Sequence, residues 1–180
     1  MLPALRIATG PAHSALDKSF GSLDLDDRGD YARFLLAHAI GLMPLFSTYR
    51  EFVTQELRMP TPDFTGMLAA DLGDLGLETP SIPEVSLDDD LSAPGIAYVV
   101  SGSRLGLTMI RRNGYWGRAH GQPSRYMEDD SGLEVWKSLV GWMKQKAASE
   151  QDEERASRAA LTAFDVFGCA FEASAPACVQ

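Results

Sequence analysis

Apolar residues recur at intervals of three and four through most of this 180-residue chain, and no segment alternates apolar with polar residues as a strand would. Six segments show this helical period or the residues that begin and end helices. They cover roughly residues 3–20, 30–53, 61–77, 94–113, 133–143 and 149–171. The pattern predicts an all-α bundle of six or more helices, and the length suits a single domain over residues 1–180.

The starts of three of these helices are marked by residues that satisfy free backbone N–H groups. Asp30 is expected to cap the second helix, and Thr61 is expected to cap the third with Pro62 at the first helical position. Ser149 and Asp152 stand three residues apart, which approximates a capping box. We therefore expect the last helix to begin directly after Ser149.

Other residues interrupt the helical pattern. Pro44 should bend or break the second helix, because it removes one backbone donor and crowds the preceding turn. Residues 79–93 are rich in proline and aspartate, and residues 114–130 contain several glycines and a proline. Both segments are therefore expected to be irregular connections.

The overall charge limits the class of partner. The formal net charge is −9, whereas a general binder of nucleic acid or anionic membranes needs a basic surface. The sequence contains neither a long apolar run nor a basic, apolar leader at its amino terminus. Cys169 and Cys178 lack CxxC spacing, and Cys169 is most simply a small apolar core residue. We expect a cytoplasmic protein with reduced thiols that binds neither nucleic acid nor membranes.

Positive charge is concentrated in one segment, which has no acidic residue between Asp90 and Glu128. Two interpretations stay open. The segment either holds an anionic ligand or docks an acidic partner, or its arginines are solvated or paired with carboxylates elsewhere in the chain. The arginines concerned are Arg104, Arg111, Arg112, Arg118 and Arg125.

Two glycines stand four residues apart inside the fourth helix, in the stretch VVSGSRLGL from Val99 to Leu107. Each costs about 1 kcal/mol relative to alanine in a helix interior, so a compensating role is expected for Gly102 and Gly106. Their spacing places them on one face of the helix. Three roles remain open for that face: a close helix crossing, a kink, or contact between the backbone and a flat ligand.

The first helix carries a histidine and an aspartate on one face. Asp17 follows His13 by four residues and can accept a hydrogen bond from one imidazole nitrogen, which makes the other nitrogen a better metal donor. Arg6 lies about two turns earlier on a similar face. A histidine near a cation suits an iron porphyrin, whose iron needs an axial ligand and whose propionates need positive charge. The alternative is an ordinary surface pair of His13 and Asp17.

Three stretches of the chain form a specific combination. They are LRIATGPAHSALD from Leu5 to Asp17, YARFLLAH from Tyr31 to His38, and YVVSGSRLG from Tyr98 to Gly106. Taken together they resemble the bacterial haem oxygenases, and most of all the short forms associated with bacteriophytochromes. The likeness covers most of the chain in order, including the helix around Trp136.

This resemblance implies an all-α fold in which haem lies between a proximal first helix and a kinked distal helix. His13 would be the axial ligand of the iron and Asp17 its hydrogen-bonding partner. Gly102 and Gly106 would form the distal wall, with Ser103 helping to order distal water. The resemblance implies these roles, and residue spacing alone does not establish them.

The resemblance also implies a reaction. Haem, as substrate and oxygen-activating cofactor, is opened by dioxygen and electrons from a reductase or ferredoxin to biliverdin, carbon monoxide and ferrous iron. A bilin-binding photoreceptor would use the product. Arg6 and Lys137 match basic positions near the propionates, and Phe164 either lines the haem pocket or belongs to the core.

Two positions depart from the family pattern. Many relatives have a second glycine after Gly106, where this chain has Leu107, and some have an aspartate in place of Ser103. Two other functions therefore stay open: a non-catalytic haem-binding or haem-sensing protein on the same fold, and a helical interaction module that binds no haem. Of the other histidines, His38 is expected to pack or hydrogen-bond within its helix and His120 to lie exposed in a loop.

Overall fold

The computed structural model describes residues 1–78 and 92–175. Within these ranges every regular element is an α-helix, which confirms the all-α prediction. The eight helices of these ranges are α1 (Leu2–Phe20), α2 (Arg28–Gln55), α3 (Phe64–Asp74), α4 (Ala93–Asn113), α5 (Trp116–Ala119), α6 (Arg125–Glu128), α7 (Ser131–Gln145) and α8 (Glu150–Ala173). None of them combines the length and apolar composition that crossing a membrane requires.

Two capping residues differ from the prediction. Asp27, rather than Asp30, caps α2, since its carboxylate accepts hydrogen bonds from the first free backbone N–H groups of that helix. Asp63, two residues beyond Thr61, has the same role in α3. In both helices the carboxylate directly before the helical backbone is the one that reaches an N–H group two or three residues on.

The bounds of the longer helices otherwise follow the sequence closely. The capping box of Ser149 and Asp152 is confirmed at the start of α8. Residues 114–130 hold the single-turn helices α5 and α6, where only irregular chain was expected. Most of the connection expected over residues 79–93 lies outside the described residues, as does Cys178.

Pro44 does not break α2, which continues through it to Gln55. Leu42 and Leu45 on either side of the proline are buried in the core. Burying each such side chain contributes roughly 1.5–3 kcal/mol, which offsets the backbone hydrogen bond that proline removes. Packing therefore outweighs the local preference.

Helix α8 lies at the centre of the bundle and packs against α1, α2 and α4. Helix α8 passes close to glycines of α2 and α4. A Cβ atom at Gly41 would lie 2.5 Å from the Phe167 ring, and one at Gly95 would collide with the backbone carbonyl of Ala156. Helices α1 and α4 both pack on α8 but hardly contact each other, which leaves a gap between them.

Arg104 anchors the middle of α4 on the side away from this gap. Its guanidinium is buried between the rings of Phe64 and Tyr126, at 4.7 and 4.6 Å from their centroids. It donates hydrogen bonds to the carbonyls of Tyr126 and Asp129, and the Asp129 carboxylate lies 3.6 Å away. Cation–π contact and charge compensation together allow a cation to be buried here.

Candidate functional site

A cavity of about 510 Å³ occupies the gap between α1 and α4. Side chains of α2 and α8 close one end of it, and Trp136 of α7 lines it beside α4. Small-molecule sites in proteins span about 300–1,000 Å³, so this cavity is of ligand size. Its open end is lined by exposed residues of α1 and α4, and its inner end by buried aromatic and aliphatic side chains.

Helix α1 contributes the polar wall of the cavity, with Arg6, His13 and Asp17. The Nδ1 atom of His13 lies 2.9 Å from an Asp17 carboxylate oxygen, as their spacing predicts. Because a carboxylate accepts, Nδ1 carries a proton, and in the neutral imidazole the Nε2 atom is then the one with the lone pair. The His13 side chain is 58% exposed, so the ring is accessible to a ligand at the open end.

Helix α4 contributes the opposite wall through its two glycines. A Cβ atom at Gly106 would meet no heavy atom within 4 Å, and one at Gly102 would only reach ordinary contact with the Trp136 ring, at 3.5 Å. The close helix crossing that the spacing also permitted is therefore not what these glycines serve. They form a wall of bare backbone along the cavity.

Two neighbours of the glycines also line the cavity. The Ser103 hydroxyl donates a hydrogen bond to the Val100 carbonyl, at 2.8 Å, so its oxygen retains only acceptor capacity. Leu107 lines the cavity and is 3% exposed, so its side chain occupies volume that a glycine would leave open. Leu105 and Met109 lie at the open end and are 48% and 58% exposed, so the rim carries uncovered apolar surface.

The inner end of the cavity is aromatic. Phe164 lines it and makes an edge contact with the His13 ring, with centroids 5.8 Å apart. Phe20 and Phe167 belong to the same wall. His38 lies among these rings, and its Nδ1 atom is 2.8 Å from the Phe34 carbonyl, which confirms the hydrogen bond within α2.

The position of His38 in the cavity is a feature that the sequence did not show. Burial lowers the pKa of His38 to about 4, because charging an imidazole in this apolar surrounding is unfavourable. The ring is therefore neutral at pH 7. The available signal was its place one turn after Phe34 on the buried face of α2, but periodicity could not say that this face borders a cavity.

Three of the residues that the sequence analysis singled out lie outside the cavity. Lys137 does not line it: its Nζ atom lies 2.7 Å from a Glu134 carboxylate oxygen on the same helix. His120 is exposed, as expected, and stacks on Trp116 with ring centroids 4.5 Å apart. Cys169 is exposed rather than part of the core, because neighbouring residues form the buried face of α8.

The arginine-rich segment forms no open basic patch. Arg104 is buried, Arg111 pairs with Asp130 at 2.7 Å, Arg118 lies 3.7 Å from Glu128, and Arg125 pairs with Asp71 and Asp74. The interpretation in which carboxylates elsewhere in the chain neutralise these arginines is the one the structure supports. Arg112 is exposed and has no carboxylate partner among the described residues.

The helices and the cavity together define a class: an all-α protein with a ligand-sized site between its first helix and a glycine-bearing helix. The structure is similar to that of the NO- and CO-bound haem oxygenase from Neisseria meningitidis, with a TM-score of 0.70 and 19% sequence identity. The similarity covers 94% of this chain and 89% of that chain. The chain therefore has the haem oxygenase fold. No protein-family model and no curated protein matches it in sequence.

Proposed function

We propose that this protein is a haem oxygenase. It binds haem between α1 and α4 and, with dioxygen and electrons from a reductase or ferredoxin, opens the ring to biliverdin, carbon monoxide and ferrous iron. The observation that carries the proposal is the cavity itself, which brings His13 and Asp17 to one side and Gly102 and Gly106 to the other. The likeness in fold to the Neisseria haem oxygenase supports it.

The biological setting follows from the sequence resemblance to bacteriophytochrome-associated forms. We propose that the protein acts in the cytoplasm as a single domain and supplies biliverdin to a bilin-binding photoreceptor. The net charge of −9 fits a protein that meets neither nucleic acid nor anionic membranes.

The residues around the cavity fit a flat ligand with one charged edge. The glycine face of α4 leaves open space where side chains would stand, so a ring system can lie against the backbone. The inner end is apolar, and Arg6 lies at the open end. Haem has this distribution, with an apolar macrocycle and two propionates at one edge.

His13 would hold the iron through its Nε2 atom. The Asp17 carboxylate accepts a hydrogen bond from the Nδ1–H group of His13, which sets the orientation of the ring and raises the basicity of the ligating nitrogen. Bound haem supplies the iron that activates dioxygen. The protein's contribution on this side of the cavity is therefore ligation and orientation.

On the opposite side, α4 controls space and water. The backbone at Gly102 and Gly106 allows a ligand to approach, while the oxygen of Ser103 can accept a hydrogen bond from water in the cavity. Leu107 and Phe167 cover the inner end with apolar surface and exclude bulk water there. Water near the bare backbone would therefore have the Ser103 oxygen as an acceptor and apolar surface on its inner side.

Arg6 would pair with a propionate at the open end. An exposed pair of this kind contributes about 0–1 kcal/mol, so it orients the ligand more than it holds it. Lys137 would have to leave Glu134 before it could make a similar contact. Ligation by His13 and apolar burial are therefore expected to supply most of the affinity.

The test is a titration of the purified protein with haemin, followed by dioxygen and a reductant while the visible spectrum is recorded. His13→Ala is the test variant, and His120→Ala is the matched control, because His120 is exposed and lies outside the cavity. We expect a Soret band and then biliverdin absorption in the wild type and in His120→Ala. Unchanged haem ligation in His13→Ala would show that the axial ligand is misassigned.

A non-catalytic haem-binding protein is the second candidate function. Two observations favour it: Leu107 fills space near the glycine wall, and the Ser103 hydroxyl proton is already donated to the Val100 carbonyl. Both reduce the means of ordering water above a ligand. A protein that binds haemin through His13 but never opens the ring under full reduction would be this candidate.

A further inference from the structure

Three buried side chains of α2 and α4 have polar atoms with no hydrogen-bond partner among the described residues. These atoms are the hydroxyls of Tyr49 and Ser101 and the Nε and Nη1 atoms of Arg104. Tyr49 and Ser101 are fully buried, and Arg104 is 2% exposed. None of the three residues lines the cavity between α1 and α4. They form a separate polar group, on the side of α4 that faces away from that cavity.

The three side chains converge on one buried region. Arg104 follows Ser101 by three residues in α4, and a helical side chain leans towards the preceding turn, so Arg104 extends over Ser101. The Tyr49 ring stacks on Phe64 with centroids 5.9 Å apart, and the Arg104 guanidinium lies 4.7 Å from the same Phe64 ring. Burial raises the pKa of Tyr49 to about 12, whereas the nearby Ser101 hydroxyl and Arg104 charge oppose this rise.

The planar guanidinium of Arg104 indicates which nitrogen faces this region. Its Nη2 atom donates to the backbone carbonyls of Tyr126 and Asp129. A Cβ atom on Gly132 of α7 would lie 2.9 Å from Nε, so these two nitrogens are directed towards the chain from α6 to α7. The Nη1 atom points away from both in the plane of the group, and it is the donor available to the two hydroxyls.

Polar groups of this kind are rarely left unpaired in a folded protein. A buried donor without an acceptor keeps the full penalty of losing its water, and several such groups together would cancel much of the stability of an ordinary domain. The Nη1 atom can only donate, whereas each hydroxyl can both donate and accept. The group therefore lacks a small partner that accepts from the cation and also exchanges hydrogen bonds with hydroxyls.

Charge favours a neutral partner over an anion. The Asp129 carboxylate lies 3.6 Å from the Nη2 atom of Arg104 and already compensates the positive charge. An anion would add an unbalanced negative charge to the interior, and it could only accept hydrogen bonds. A water molecule can accept and donate at no cost in charge.

We infer that one internal water molecule is bound between α2 and α4, where it accepts a hydrogen bond from Nη1 of Arg104 and exchanges hydrogen bonds with the hydroxyls of Tyr49 and Ser101. Interior waters make about three hydrogen bonds of this type to groups that would otherwise be unpaired. Because Ser101 directly precedes Gly102, this water connects α2 to the α4 backbone behind the glycine face. The site lies outside the cavity, so the water is bound whether or not haem is present.

The first test is thermal unfolding of the haem-free protein with Tyr49→Phe, which removes one hydroxyl and leaves the ring. A hydroxyl that binds the water stabilises the fold, so we expect Tm to fall by about 2–4 °C. A hydroxyl without any partner destabilises the fold, and its removal would raise Tm. A raised or unchanged Tm would therefore overturn the inference.

Ser101→Ala tests the second hydroxyl, and Ser14→Ala is its matched control. Ser14 is an exposed serine inside α1, so its substitution reports the preference of a helix for alanine without the loss of a buried hydroxyl. Relative to this control, we expect Ser101→Ala to lower Tm by about 2–4 °C. The double variant with Tyr49→Phe should lose less than the sum of the single losses, because both hydroxyls bind one molecule. Additive losses would contradict a shared water.

Oxygen-17 relaxation dispersion distinguishes a bound water from direct contact between the hydroxyls, because it detects the oxygen of water molecules that are retained longer than the tumbling time. We expect the wild type to retain one more such water than the double variant, and an equal number would overturn the inference. A crystal structure of the wild type answers the same question if the variants do not fold. It should show a water oxygen about 2.7–3.2 Å from all three atoms, and empty density at that place would refute the inference.

A chloride ion in the same place would also pair with the Arg104 N–H groups, so it is tested directly. The Tm of the wild type is measured in sodium chloride and in sodium fluoride at equal ionic strength. A ligand that binds only the folded state raises Tm with its concentration, whereas a water site should give the same Tm in both salts. A chloride-specific rise that disappears in Tyr49→Phe would identify a bound anion and overturn the inference.

Discussion

Replacing Gly106 with alanine should stabilise the haem-free protein. The residue lies inside α4, is exposed, and would place its new methyl group where no heavy atom lies within 4 Å. Alanine in a helix interior is favoured over glycine by about 1 kcal/mol, with nothing to offset the gain. For a chain of this size that raises Tm by about 2–4 °C. Urea denaturation followed by circular dichroism measures the change.

Gly102→Ala should behave similarly, with a gain of about 0.5–1 kcal/mol, since its methyl group would make ordinary contact with the Trp136 ring. Gly95→Ala is the matched control in the same helix. Its methyl group would collide with the Ala156 carbonyl, so overpacking should lower the free energy of unfolding by about 1–3 kcal/mol. The free energies of unfolding of the three variants therefore distinguish glycines that border a cavity from a glycine that allows a close helix crossing.

The same two cavity substitutions should weaken haemin binding, because each methyl group projects towards the ligand space. Greater stability without ligand and lower affinity for haemin would together explain why the helix retains its two glycines. A destabilised Gly106→Ala would refute this reasoning, because it would mean that the position serves backbone conformation or packing. Unchanged haemin affinity in both variants would contradict the proposal that the glycine face of α4 contacts bound haem.

Three further predictions concern charge. Folding lowers the pKa of His38 from 6.5 to about 4, so between these pH values the unfolded chain binds more protons than the folded chain. The free energy of unfolding should therefore fall by about 3 kcal/mol as pH decreases from 6.5 to 4. His38→Leu should flatten that part of a stability–pH profile. Arg112 is the one arginine of its segment without a carboxylate partner among the described residues, so it alone is left to dock an acidic electron donor. Arg112→Glu should slow donor-driven turnover in a salt-sensitive way with stability unchanged, whereas Arg111→Glu should mainly destabilise the fold, because Arg111 pairs with Asp130. Equal donor-driven rates at low salt would show that Arg112 docks no donor. Lys137→Ala should change haemin affinity by less than about twofold and stability by less than about 0.5 kcal/mol, since its partner is an exposed residue of its own helix, and a larger loss of affinity would restore Lys137 as a propionate contact.

Local patterns in the sequence are enough to predict the long helices and the pairing of His13 with Asp17. Both depend on interactions within a few residues, namely the 3.6-residue period and hydrogen bonds across one turn. The capping residues of α2 and α3 were each misplaced by two or three residues, because several neighbouring side chains can accept the same backbone hydrogen bonds. The continuity of α2 through Pro44 depended on core packing, which no local pattern reports.

The arginine-rich segment and His38 show where sequence reasoning stops. Arg125 meets Asp71 across 54 positions of the chain, and Arg104 is buried against Phe64. His38 reaches the cavity because α1, α2 and α4 pack on α8 in one particular arrangement. Such contacts join residues that are far apart in sequence. The sequence therefore left two interpretations of the arginines open and did not place His38 at the cavity.

The sequence by itself determined that the chain forms helices, that His13 and Asp17 share a face, and that Gly102 and Gly106 share another. Only the tertiary structure decided what each face meets. Because α8 takes up the close crossings at Gly41 and Gly95, the glycine face of α4 is left to border open space opposite α1. Helical period fixes which residues lie together on a helix, whereas the packing of all the helices decides which of those faces encloses a site.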